Sequence, residues 1–122
     1  MTSKSPQRKR VLVVDDSNLM AETIFELLIE FGVEPVGPAP TVAKALRLIE
    51  DGNLDAALLD VTLDDETVFP VCEPLAQRHI PFAFVSGTAE PLPEKFDSIP
   101  ILAKPFKRAD FLRILKGLLR QS

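Results

Sequence analysis

Asp15, Asp16, Asp60, Ser86 and Lys104 are of types that do chemistry, and each closes or closely follows a short apolar run. Three carboxylates brought together without a counter-ion repel one another, and some must take up protons. A hard divalent cation removes the conflict. Magnesium suits a site made of a few carboxylates, a backbone carbonyl, waters and phosphate oxygens, so Asp15 and Asp16 are the expected ligands, shared with Asp60. Asp60 ends the run Ala57-Leu58-Leu59 and is therefore held on a rigid strand. Its carboxylate is the expected nucleophile, attacking phosphorus to give an aspartyl phosphate. Charge on the equatorial oxygens then needs fixed partners: Lys104 supplies a second positive charge, and the Ser86 hydroxyl a hydrogen bond to a phosphoryl oxygen. Gly87 is small enough to leave room for backbone approach.

Each residue alone has an ordinary explanation. Paired acids after a strand often cap a helix and suit its dipole. Asp60 could be a turn residue, Ser86 a strand-end hydrogen-bonder and Lys104 a solvated charge. Their common placement at strand ends is what favours function.

The elements that must position them follow from patterning. Val11 to Val14 is a continuous apolar, β-branched run, the pattern of a strand covered on both faces. From Ser17 to Phe31, Met20, Ile24, Leu27, Leu28 and Phe31 recur at helical spacing, and Gly32 ends the helix. Val33 to Val36 predicts a second strand, and Thr41 a cap for a helix carrying Val42, Ala45, Leu46 and Ile49 on one face. Ala56 to Leu59 predicts a third strand, ending at Asp60. Pro70 and Pro74 fall where a third helix is wanted, and a proline in a helix interior costs about 3 kcal/mol, so a late start or a kink is expected. Phe82 to Val85 and Ile99 to Leu102 predict the fourth and fifth strands. Leu112, Leu115 and Leu119 predict the buried stripe of a last helix. Pro91 and Pro93 leave only about one turn, Glu94 to Asp97, for a fourth helix. Such alternation predicts a parallel sheet with helices on both faces, whose ligand site lies at the carboxyl ends of the strands.

A chain of 122 residues with 46% hydrophobic content predicts a single domain. Trp and Tyr are absent and the formal charge is −4, so nucleic acid is not an expected partner. Lys4, Arg8, Lys9 and Arg10 concentrate positive charge at the start, leaving 10 basic against 18 acidic residues beyond. Residues 1–9 are read as a disordered basic tail and 10–122 as the folded domain. No secretory signal or membrane-spanning run is present, and one cysteine, Cys72, forms no intrachain disulfide; a reducing cytoplasm is the expected setting. His79, the only histidine, reads as an ordinary surface residue. Asp64, Asp65 and Glu66 could extend a metal site, but such a run more often marks a solvated helix start. Phe106 is expected to be partly exposed beside Lys104.

Val11-Leu12-Val13-Val14-Asp15-Asp16, Leu58-Leu59-Asp60, Val85-Ser86-Gly87 and Lys104-Pro105-Phe106 resemble the four signature segments of response-regulator receiver domains, over residues 10 to 120. The resemblance implies an α/β fold: a five-stranded, doubly wound, flavodoxin-like parallel sheet in the order 2-1-3-4-5. It implies Asp60 as phosphoacceptor, and Asp15, Asp16 and the Thr62 backbone carbonyl as further magnesium ligands. Ser86 would be the switch hydroxyl, Lys104 the phosphate partner, and the Lys104-Pro105 bond cis. The family commonly carries Pro four and Gly eight residues after the phosphoacceptor; here stand Asp64 and Val68. Its aromatic switch residue lies three positions before the lysine, where this chain has Ile101. Phe82 to Thr88 and the nearby prolines resemble an atypical receiver group with a Phe-rich fourth strand.

The leading expectation is a signalling module, not an enzyme, that assists its own phosphorylation and dephosphorylation. It would take phosphate from a histidine kinase or phosphotransfer protein and act as a target binder, shuttle or sink, since no output domain follows the last helix. A haloacid-dehalogenase phosphatase also uses an aspartyl nucleophile and magnesium. That class wants a second Asp two residues after the first, where Ser17 and Thr62 stand. A phosphorylation-independent interaction domain is the third possibility.

Overall fold

Strands that are apolar at every position must be covered on both faces. In the computed structural model, which describes residues 8–87 and 91–121, helices on both sides provide that cover. The elements run β1 (Arg10–Val14), α1 (Asn18–Glu30), β2 (Glu34–Ala39), α2 (Val42–Asp51), β3 (Ala56–Asp60), β4 (Thr62–Leu63), β5 (Glu66–Thr67), α3 (Phe69–Gln77), β6 (Phe82–Ser86), a 3-10 turn (Glu94–Phe96), β7 (Ile101–Ala103) and α4 (Arg108–Gln121). The five-stranded sheet has the order β2-β1-β3-β6-β7 with every pair parallel, which is 2-1-3-4-5 when the two-residue ladder β4-β5 is set aside. Residues 1–7 of the expected tail, and Thr88 of the expected fourth-strand segment, lie outside the described residues. The Lys9 carbonyl already accepts from the Glu34 N–H.

Alternate strand residues feed two cores. Leu12, Val14, Ala57, Leu59, Phe82 and Phe84 pack with α2, α3 and Phe96 of the 3-10 turn. Val11, Val13, Ala56, Leu58, Ala83, Val85 and Leu102 pack with α1 and α4. Ser17 and Thr41 cap α1 and α2 by accepting from the N–H groups of Met20 and Lys44.

Several expectations are corrected. The second strand is Glu34–Ala39 rather than Val33 to Val36, because Gly37 lets it pass Gly37-Pro38. Gly37 has φ 112°, and a Cβ there would meet Val13 O and Ala39 N at 2.9 Å. Two prolines are tolerated because β2 is an edge strand. The third helix does not start late: it begins at Phe69, with Pro70 in its first turn and Pro74 inside. Val71, Cys72 and Leu75 are buried from this helix, and that burial outweighs the hydrogen bond Pro74 cannot make. The fifth strand is Ile101–Ala103, two residues later at its start than expected, since Pro100 contributes only its carbonyl, to the Phe84 N–H. In α4 the buried stripe is Phe111, Ile114, Leu115 and Leu118, while Leu112 and Leu119 are half-buried. Asp64, Asp65 and Glu66 do not start a helix; they form the turn and second strand of the β4-β5 ladder.

Candidate functional site

β1 and β3 run side by side, pairing Val14 with Leu59, so Asp15 and Asp60 emerge together at the carboxyl edge of the sheet. The Asp15 N–H donates to Ala39 O at 3.0 Å, so the extended end of β2 fixes the Asp15 backbone. Its carboxylate accepts from the Ser17 N–H through Oδ1 at 2.8 Å, while the buried Oδ2 has no hydrogen-bond partner. Both carboxylates are nearly enclosed: Asp15 is 3% and Asp60 9% exposed. Asp16 is exposed at the mouth, and its Oδ2 accepts from the Asp64 N–H at 2.6 Å.

β7 brings the cation. The Lys104 N–H donates to Ser86 O at 2.8 Å, and its ammonium lies 3.6 Å from Asp15 Oδ2 and 3.6 Å from Asp60 Oδ2. The Lys104-Pro105 bond is cis. Ser86 is buried at the end of β6, opposite Ala103. A side chain at Gly87 would meet the Lys104 stem at ordinary contact distance, 3.7 Å. Phe106 is half-buried and stacks on Phe111 at 5.6 Å.

Burial pushes the Asp60 carboxyl up to about 6, and Asp15 adds repulsion. Lys104 pulls the other way, Asp16 repels more weakly, and a hydrogen bond from the Thr62 N–H lowers it slightly. One ligand oxygen each from Asp15, Asp16 and Asp60 lies within 4.8 Å of the others. An all-oxygen donor set, with one buried oxygen lacking a hydrogen bond, fits a hard cation such as magnesium.

The structure thus brings together Asp15, Asp16, Asp60 and Lys104, with Ser86 at the end of β6 beside β3 and Thr62 two residues past Asp60 at the start of β4. It leaves His79 outside, exposed at φ 58° where α3 ends. Cys72 is buried in α3, its thiol pushed up to about 12 by burial, and takes no part. Sequence patterning missed the anchoring of Asp16 by Asp64 and a contact from Glu66 Oε2 to the Val42 N–H at 3.0 Å.

No protein-family model matches the chain. Among solved structures, the chain is similar to SdrG from Sphingomonas melonis Fr1 in solution (TM-score 0.83, 39% identity, 92% of this chain and 97% of that one). It is also similar to a BeF3-activated conformation of SdrG (TM-score 0.79, 38% identity, 94% and 99% covered). A CheY-like response regulator receiver domain protein from Methanospirillum hungatei JF-1 matches with TM-score 0.83 and 25% identity over 93% of this chain and 95% of that one. Among curated proteins, a protein-glutamate methylesterase/protein-glutamine glutaminase from Rhodospirillum rubrum is 36% identical over 88 residues, 70% of this chain. The chain spans about a quarter of that relative's length, 24%.

Proposed function

The chain belongs to the response-regulator receiver domains of two-component signalling, and from that membership we propose that it accepts a phosphoryl group on Asp60. The donor is a histidine kinase or histidine phosphotransfer protein, and the output is contact with another protein. The observation that carries this reading is the buried pair Asp15 and Asp60 with Lys104 at 3.6 Å from each.

In the transfer, an Asp60 carboxylate oxygen forms a bond to phosphorus as the bond from phosphorus to the donor's histidine nitrogen breaks. That nitrogen leaves with the electron pair. β3 keeps the attacking carboxylate still, which counts because the chemistry asks mainly for positioning and charge. The Lys104 ammonium offsets charge on the phosphoryl oxygens, and the Ser86 hydroxyl donates to one of them. Asp15, Asp16, Asp60 and the Thr62 carbonyl would hold magnesium, which when bound supplies positive charge to the same oxygens.

The protein turns over no external substrate beyond gaining and losing its own phosphoryl group. Ser17 caps α1 at the position where a phosphatase of the dehalogenase kind wants its second aspartate. The folded unit is read as residues 10–122 behind a basic tail of residues 1–9, working in the cytoplasm. Among the described residues no helix is long and apolar enough to cross a membrane. SdrG, whose BeF3-activated conformation shares this fold, supports the response to a phosphoryl mimic.

Intact-mass analysis after incubation with magnesium and acetyl phosphate tests the reading. The parent should gain one phosphoryl group and Asp60→Asn none. Equal labelling of both would move the acceptor elsewhere.

A further inference from the structure

The β4-β5 ladder after Asp60 is tied down on both sides. Its turn, Asp64-Asp65, joins Leu63 to Glu66, and Asp64 takes the left-handed φ of 51°. Aspartate tolerates that region better than most residues. The Asp64 N–H is thereby presented to Asp16 Oδ2, at 2.6 Å. On the returning strand, Glu66 Oε2 accepts from the Val42 N–H at 3.0 Å. Val42 is the first residue of α2, so its N–H is one of four donors with no partner inside the helix. Thr41 serves the Lys44 N–H, and Glu66 serves Val42, where a carboxylate also suits the dipole. The ladder's base is fixed as well: the Val68 N–H donates to Val61 O at 2.9 Å, and fully buried Leu63 shares a core with Ala45 and Ile49 of α2.

A strut this short, anchored at its base, transmits displacement between its two carboxylate contacts. We propose that Glu66 is a positioning residue for the acidic site: by clamping the ladder to the N-terminus of α2, it holds the Asp64 N–H against Asp16 and sets the orientation of that carboxylate. Coupling is reciprocal, so a change at Asp16 reaches the first turn of α2 by the same route. The consequence for magnesium rests on Asp16 being a ligand. The coupling of the Asp64 and Val42 amides does not.

NMR amide exchange in EDTA, followed by titration with Mg2+ alone, tests both parts in the parent, Glu66→Ala, Glu66→Gln, Asp65→Asn and Asp16→Ala. Glu66→Ala should speed exchange at Asp64 as well as at Val42, roughly threefold, the size of a modest net hydrogen bond. Asp16→Ala should speed exchange at Val42 in return. Glu66→Gln keeps an acceptor oxygen and should stay near the parent, as should Asp65→Asn, which removes a nearby charge and no clamp. Mg2+ affinity should fall in Glu66→Ala by a similar factor and hold in the other two hairpin variants. If Glu66→Ala disturbs Val42 alone, or if all three hairpin variants lose Mg2+ affinity equally, Glu66 acts only as a local cap or a distant charge. A parent without Mg2+ binding would defeat the metal reading, while the amide pair still decides the clamp.

Discussion

Lys104 is the group that most favours ionisation of the buried Asp60. Burial and Asp15 favour the protonated acid, and Lys104 is the largest influence in the other direction. Lys104→Ala should therefore move Asp60 ionisation to higher pH and slow labelling by acetyl phosphate at pH 7, with part of the loss recovered at higher pH, where the carboxylate forms. A rate deficit that is the same at every pH would confine Lys104 to the phosphorylated state. Asp16→Ala keeps Asp60 and removes one carboxylate of the cluster, so on the proposed reading Mg2+ affinity should fall roughly tenfold or more. Unchanged affinity in a titration would leave Asp16 as an anchor for the Asp64 N–H alone. At this scale the sequence was informative wherever a polar residue ends an apolar run, as at Asp15, Asp60 and Ser86, which the fold brings to the carboxyl edge of the sheet. The contacts of Asp64 and Glu66 were not legible. Each depends on a backbone turn with φ 51° and on partners 48 and 24 residues away, which no local pattern encodes.

Between residues and the whole, the fourth helix position holds, among the described residues, a single 3-10 turn whose internal bonds are Phe96 N–H to Pro93 O and Asp97 N–H to Glu94 O. What fixes it is aromatic packing: Phe96 stacks on Phe69 at 5.2 Å and meets Phe84 edge-on at 5.4 Å. The prolines made this shortening legible in advance, because Pro91 and Pro93 exclude a longer helix. In α3 the late start that the same rule allowed does not occur, since Val71 and Leu75 bury enough surface to keep Pro74 within a helix. Proline sets a local cost, and tertiary burial decides whether it is met. With so few backbone bonds, residues 91–98 should exchange amide hydrogens faster than α1. Ile101, 51% exposed on β7, offers no ring to swing inward, so the route expected for a signal from Asp60 is through Ser86 and Lys104, whose backbones are joined at 2.8 Å. Magnesium with beryllium fluoride, which stands in for the phosphoryl group on Asp60, should then protect residues 91–98. Protection appearing only at α1 would rule out that route.

At the scale of the whole molecule, burying the acidic cluster costs stability, and pH exposes the cost. The Asp60 carboxyl has its ordinary value of 3.8 in the unfolded chain and about 6 in the fold. A carboxyl raised on folding favours the native state when protonated. That contribution is complete below pH 3.8 and is lost as pH rises through about 6. Above that, ionised Asp60 costs the fold on the order of 3 kcal/mol. In EDTA at pH 7, Asp60→Asn should accordingly melt several degrees above the parent, and the gap should close towards pH 4.5 as the parent's carboxyl takes up its proton. Mg2+ at pH 7 should raise the parent's melting temperature by mass action and raise that of Asp60→Asn less, because one ligand charge is gone. Differential scanning fluorimetry across this pH range, with and without Mg2+, reads all three effects. Parallel melting curves for the two proteins from pH 4.5 to 7.5 would mean that the buried carboxylate is already fully compensated by Lys104, and that its burial stores no free energy for the reaction to release.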